Sequence, residues 1–181
     1  MLIILFLYSC SSKGNRQNIT RLLHEWSEKE IVFSEQPVFI RFTKDDAEID
    51  TVDCLTSLKS EYKVLIYVDS TGCTACKLKL PVWKDFMTEV DSIADKQIPF
   101  LFFFHSNDLA ELRYLFLSEV FDYPVCVDTG DELNQINQFP KIEAFHVFLL
   151  NRDNKVIVIG NPIQNRRVRE LYLSQIRKEV S

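Results

Sequence analysis

Glycine is scarce, with four residues in 181, and Gly14, Gly72, Gly130 and Gly160 lie too far apart to build a phosphate-cradling loop. No basic stripe exists either. Lys and Arg number 21 against 26 Asp and Glu, and Lys77, Lys79, Arg166 and Arg167 are scattered over a chain of net charge -5. Phosphate binding needs a basic field, so a nucleic-acid partner is excluded. The three histidines, His24, His105 and His146, are isolated from one another, and no second close pair of ligands accompanies them. A zinc site is therefore not expected, and no metal or cofactor is assigned. Internal repeats and low-complexity tracts are lacking, and the apolar N-terminal run is too short to span a bilayer.

What the chain does have is a core. Hydrophobic residues make up 46% and aromatics 12%, enough at this length for one well-packed domain and an extension. Five cysteines, Cys10, Cys54, Cys73, Cys76 and Cys126, include one close pair, which argues against a disulfide scaffold. That pair follows Val64-Leu65-Ile66-Tyr67-Val68, a strand-like run, and the turn residues Asp69-Ser70-Thr71-Gly72. Two cysteines three residues apart at the start of a helix bring their sulfurs within disulfide reach. Unsatisfied N–H groups and the helix dipole there favour a thiolate on the leading residue. Cys73 is thus the expected nucleophile and Cys76 the resolving thiol.

Strand, turn, Cys73-Thr74-Ala75-Cys76, Lys77 and Pro81 resemble the active-site segment of the thioredoxin superfamily. Within it, the chain resembles the envelope-anchored thioredoxin-like (redoxin, TlpA/ResA-like) lipoproteins. The resemblance covers residues 63–181 and implies an α/β fold, a three-layer sandwich with a central mixed β-sheet. It also implies thiol-disulfide oxidoreductase activity on protein thiols and disulfides, with a membrane redox partner to recycle the pair. Substrate would lie against Gly72, Thr74, Ala75 and Phe145.

The chain departs from the family pattern at four places. Gly72 stands where thioredoxins usually have Trp, and Thr74-Ala75 replaces Gly-Pro. The position of the family's buried acid, six residues before the first cysteine, is Tyr67, and the nearest acid is Asp69. Phe145 falls in the slot of the family's cis-proline, with Pro140 five residues earlier. Ser70, three residues before Cys73, fits part of the peroxiredoxin signature, so a thiol peroxidase is a second reading. A non-catalytic binding module with a structural disulfide is a third.

Met1 to Tyr8 is an apolar h-region, and Leu7-Tyr8-Ser9-Cys10 resembles a bacterial lipobox. The resemblance implies a lipoprotein signal peptide over 1–10, lipid on Cys10, and a periplasm-facing protein on a bacterial membrane. Residues 11–62 read as a tether to Asn18, a helix over Ile19–Lys29, and an N-terminal β extension at Ile31–Phe33 and Val38–Phe42. Asp45 to Asp53 reads as a solvated acidic linker, and Cys54 as a packing residue or a partner for Cys126. Pro81 is expected to kink the active-site helix. Ile98–His105 reads as a central strand, and a helix capped by Ser106 or Asn107 follows. Tyr123–Asp128 reads as a short strand and Phe145–Ile159 as a hairpin, before a final helix capped by Asn165.

Overall fold

The computed structural model describes residues 7–34, 37–43, 49–52, 54–70 and 78–178. In chain order its elements are α1 (Leu7–Trp26), β1 (Phe39–Phe42), β2 (Ile49–Val52), α2 (Leu55–Leu58), β3 (Tyr62–Val68) and α3 (Leu80–Ile93). There follow β4 (Phe100–Phe104), α4 (Leu109–Ser118), β5 (Val125–Val127), α5 (Glu132–Asn137), a 3-10 turn (Glu143–Phe145), β6 (Val147–Asn151), β7 (Val156–Ile159) and α6 (Arg166–Lys178). The strands form one mixed sheet in the order β2-β1-β5-β4-β3-β6-β7.

The centre of the sheet falls where the sequence is uninterruptedly apolar. β3 and β4 run parallel, from Val64 opposite Phe100 to Val68 opposite Phe104. All five residues of β4 are buried, as both faces of the sheet are covered. Alternation then sorts the side chains. Val64, Ile66 and Val68 join Trp83 and Phe86 of α3, Phe116 of α4 and Tyr172 of α6 on one face. Leu65 and Tyr67 join Trp26 of α1, Leu133 of α5 and Phe148 of β6 on the other. Helices on both faces of one sheet give the expected three layers.

The N-terminal extension differs from expectation. α1 begins at Leu7 and passes through the stretch expected as a tether, then ends at Trp26 rather than Lys29. Once a helix is nucleated each residue adds one hydrogen bond, and polar residues such as Gln17 and Asn18 stay exposed on it. Residues 31–33 form no strand. The side chain of buried Asn137 takes the ladder partner's place, accepting from Val32 N at 2.9 Å and donating to Val32 O at 2.8 Å. Part of the acidic linker is instead a strand: β2 pairs antiparallel with β1, Phe39 opposite Val52. Charged residues are common on such outer strands because they discourage further pairing.

Further along, α3 is not a kinked helix but a new one. Lys79 adopts a left-handed φ of 43°, and Pro81 sits in the first turn, where its missing N–H costs nothing. α4 is capped by Asp108, whose carboxylate accepts from Glu111 N at 2.8 Å, and not by Ser106 or Asn107. The hairpin and the Asn165 cap are found as expected, with Asn165 Oδ1 accepting from Arg167 N at 3.0 Å. Gly160 closes β7 at φ 126°, and a Cβ there would stand 3.2 Å from Val168.

Candidate functional site

β3 delivers the chain to the site. Val68 ends the strand, and its carbonyl accepts from His105 N at 2.9 Å, so the exit is tied to the end of β4. Asp69 and Ser70 follow. Gly72, Cys73, Thr74, Ala75 and Cys76 lie outside the described residues. The chain is described again at Leu78, which is buried in the core beside Trp83. Val68, Asp69 and Leu78, described residues that precede and follow positions 71–77 in sequence, line one cavity at the C-terminal end of β3.

That cavity is about 20 Å³ in volume, lined also by Tyr67, Trp83, Glu143, His146 and Asn161 among others. Tyr67, at the family's acid position, is no free proton carrier. Its hydroxyl donates to Asp131 Oδ1 at 2.5 Å, and its ring meets Phe139 and His146. Burial, then the bond to Asp131 and its charge, push the phenol far above its ordinary pKa, so it stays a donor. Asp131 is held in turn by Asn134 Nδ2 at 2.8 Å. His146 is 5% exposed. Its backbone carbonyl accepts from Tyr67 N at 2.9 Å, and its Nε2 lies 2.6 Å from Pro140 O.

Phe145, the residue in the proline slot, ends the 3-10 turn immediately before His146 and packs partly buried against the Tyr67 face. Every peptide bond among the described residues is trans, that of Pro140 included. Pro140 nevertheless reaches the site, through its carbonyl on His146. His105 Nδ1 is anchored to Asp128 O at 3.1 Å, a structural role. Cys10 falls within α1. Cys54 and Cys126 are not joined in a disulfide. Among the described residues no cluster of His, Cys, Asp or Glu could hold a metal ion, and no helix is long and apolar enough to cross a membrane. The sequence reading passed over His146, Asp131 and Glu143. The signal for His146 was its place directly before the apolar run Val147–Leu150, where a polar side chain is carried into the interior.

These elements define the protein as one with a thioredoxin-like fold. Among solved structures it is similar to the peroxidoxin BcpB of Mycobacterium tuberculosis, with a TM-score of 0.55 and 13% identity over 84% of this chain and 96% of that one. It also resembles a protein assigned as the thiol:disulfide interchange protein DsbE of Chlorobium tepidum, with a TM-score of 0.53 and 12% identity over 77% and 94%. A third is the thioredoxin domain of a thiol-disulfide oxidoreductase from Bacteroides vulgatus, with a TM-score of 0.51 and 10% identity over 77% and 97%. At such identities the likeness is one of fold. No protein-family model and no curated protein sequence matches the chain.

Proposed function

We propose that this chain is a thiol-disulfide oxidoreductase of the bacterial cell envelope, working through Cys73 and Cys76. The observation that supports the reading is the position of the described residues that flank the cysteines in sequence. Val68 and Leu78 stand at the C-terminal edge of the central strands, where loops converge and ligands of open α/β sheets bind. Cys73 attacks a protein disulfide and Cys76 resolves the mixed disulfide. Gly72, Thr74, Ala75 and Phe145 supply the groove. The lipobox-like Leu7-Tyr8-Ser9-Cys10 supports lipid on Cys10, a periplasm-facing domain over 63–181, and a membrane partner that recycles the pair.

The reduction potential of the Cys73/Cys76 pair tests this reading. A value near about -270 mV marks a reductant and one near about -120 mV an oxidant, while a pair oxidised well below about -300 mV is structural and refutes the proposal. Insulin disulfide reduction should be lost in Cys73→Ser. The thiol peroxidase reading draws support from the shared fold of the Mycobacterium tuberculosis peroxidoxin and from Ser70. Consumption of hydrogen peroxide without insulin reduction would favour it.

A further inference from the structure

We propose that the cavity between α2 and the sheet is a binding site for a small organic carboxylate with an apolar body. It measures about 410 Å³, within the usual range for small-molecule sites. Pro99, Phe100 and Leu101 enter β4 along it, and Tyr123 and Pro124 lead into β5. It thus lies at the N-terminal ends of the parallel strands, whereas the thiol reading concerns their C-terminal ends. The site does not rest on that reading.

The walls differ in chemistry. The sheet contributes Phe39, Val52, Phe100 and Leu101, an apolar floor in which Phe39 and Leu101 are each 1% exposed. α2 and the turn after it bring the hydroxyls of Thr56, Ser57 and Ser60, and exposed Gln97 joins them. This polar wall is anchored. The buried Lys63 ammonium donates to Ser60 O at 3.3 Å and to Asn151 O at 2.8 Å, which ties the end of α2 to the β6–β7 hairpin. Walls already held in place spare a ligand the cost of ordering them.

The charge comes from Arg41, the one charged side chain among the described residues that line the cavity. Its Nε is buried and makes no hydrogen bond. Asp122 Oδ1 stands 3.2 Å from that nitrogen but out of line with the N–H, and the Asp122 side chain is 74% exposed, so the ion pair holds Arg41 weakly. Asp50 is the partner of Arg41 in register across β1 and β2, and is the second acid that competes for it. The planar fork of N–H donors on a guanidinium still has room for a further carboxylate, whose two oxygens match it. Tyr123 adds a donor. Its hydroxyl oxygen accepts from Phe100 N at 3.1 Å, which leaves the O–H hydrogen to donate. Burial raises its pKa, so the hydrogen stays on at neutral pH. One guanidinium and several O–H donors over an apolar floor select an amphipathic monoanion. A neutral ligand forfeits the charge-assisted bond, and a phosphate dianion finds no second basic group.

The test uses the full chain with Cys10→Ser, ¹⁵N-labelled and reduced. It is titrated at pH 7 and constant ionic strength with sodium 3-phenylpropanoate and, separately, with 3-phenylpropanamide. The acid should shift the amide signals of Ser57, Gln97, Phe100, Leu101 and Tyr123 together, with one saturating midpoint in the millimolar range. The amide, nearly equal in shape, should bind about tenfold more weakly or worse, and the acid should lose as much on Arg41→Gln. Equal affinity for acid and amide would overturn the anionic site. Shifts that fail to saturate, or that map to other residues, would overturn the site altogether. An unchanged midpoint in Arg41→Gln would refute the role of its guanidinium and with it the proposal. Should that variant fail to fold, the comparison of acid and amide on the parent chain decides.

Discussion

At the scale of single residues, two buried groups set opposite pH responses. Burial, and then the charge of Asp128, push the Cys126 thiol up to about 12. A raised pKa gives stability that is complete below the unfolded value, about 8.5–9, and is lost as pH climbs toward the folded one. Lys63 works the other way. It is 0% exposed, and its ammonium donates to Asn151 O at 2.8 Å and to Ser60 O and Arg152 O at 3.3 Å. Desolvation lowers its pKa to about 8 against the pull of Asp153 and Glu61. Its penalty applies below that value and is relieved as pH rises toward 10.5. The two slopes oppose each other between pH 9 and 10, so total stability is a poor readout and a difference is needed. Relative to Cys126→Ala, the parent chain should lose about 1 kcal/mol over that unit of pH in urea titrations. Parallel curves would mean that the thiol ionises equally in both states.

At the scale of elements, the start of α3 stores strain that can be released. Lys79 is exposed and left-handed, a conformation that costs a side chain about 1–2 kcal/mol and glycine nothing. Part of that gain is offset by the greater freedom of glycine in the unfolded chain. Lys79→Gly should therefore raise the stability by up to about 1 kcal/mol, while Lys79→Ala, strained alike, should leave it near the parent value. A lower urea midpoint for the glycine variant would contradict the strain. The same region explains what the sequence discloses and what it hides. β3 and β4 are legible because uninterrupted hydrophobic runs are local signals. Pro81 also signals a break, but whether a helix bends or restarts depends on the residue two before it. β2 is disguised by Asp50 and its acidic neighbours, since an outer strand needs few apolar residues. Residues 31–33 look like a strand and are not, because their partner is a side chain 105 residues away.

At the scale of the whole molecule, the N-terminal helix joins two parts of different character. Gln17, Asn18, Thr20 and Arg21 are exposed on α1, whereas Trp26 at its end is 3% exposed. The indole packs against Phe148 at 5.3 Å and Phe139 at 6.0 Å, with the Lys29 ammonium 3.7 Å above it. That ammonium also donates to Asn137 O at 3.0 Å, so one short stretch pins α1 to α5 and to the sheet. Phe139 meets Tyr67 in turn, which places Trp26 two ring contacts from the site. If the first half of α1 is a tether, the folded domain should not depend on it. A chain beginning at residue 17 should match the full chain in thermal midpoint and in the rate of insulin reduction. Trp26→Ala should cost about 3–5 kcal/mol, the usual loss for a buried aromatic. A large drop on truncation would make the helix part of the domain and remove the tether from the anchoring scheme. A negligible loss for Trp26→Ala would mean that α1 does not dock in solution, and that the Tyr67 face is covered by something else.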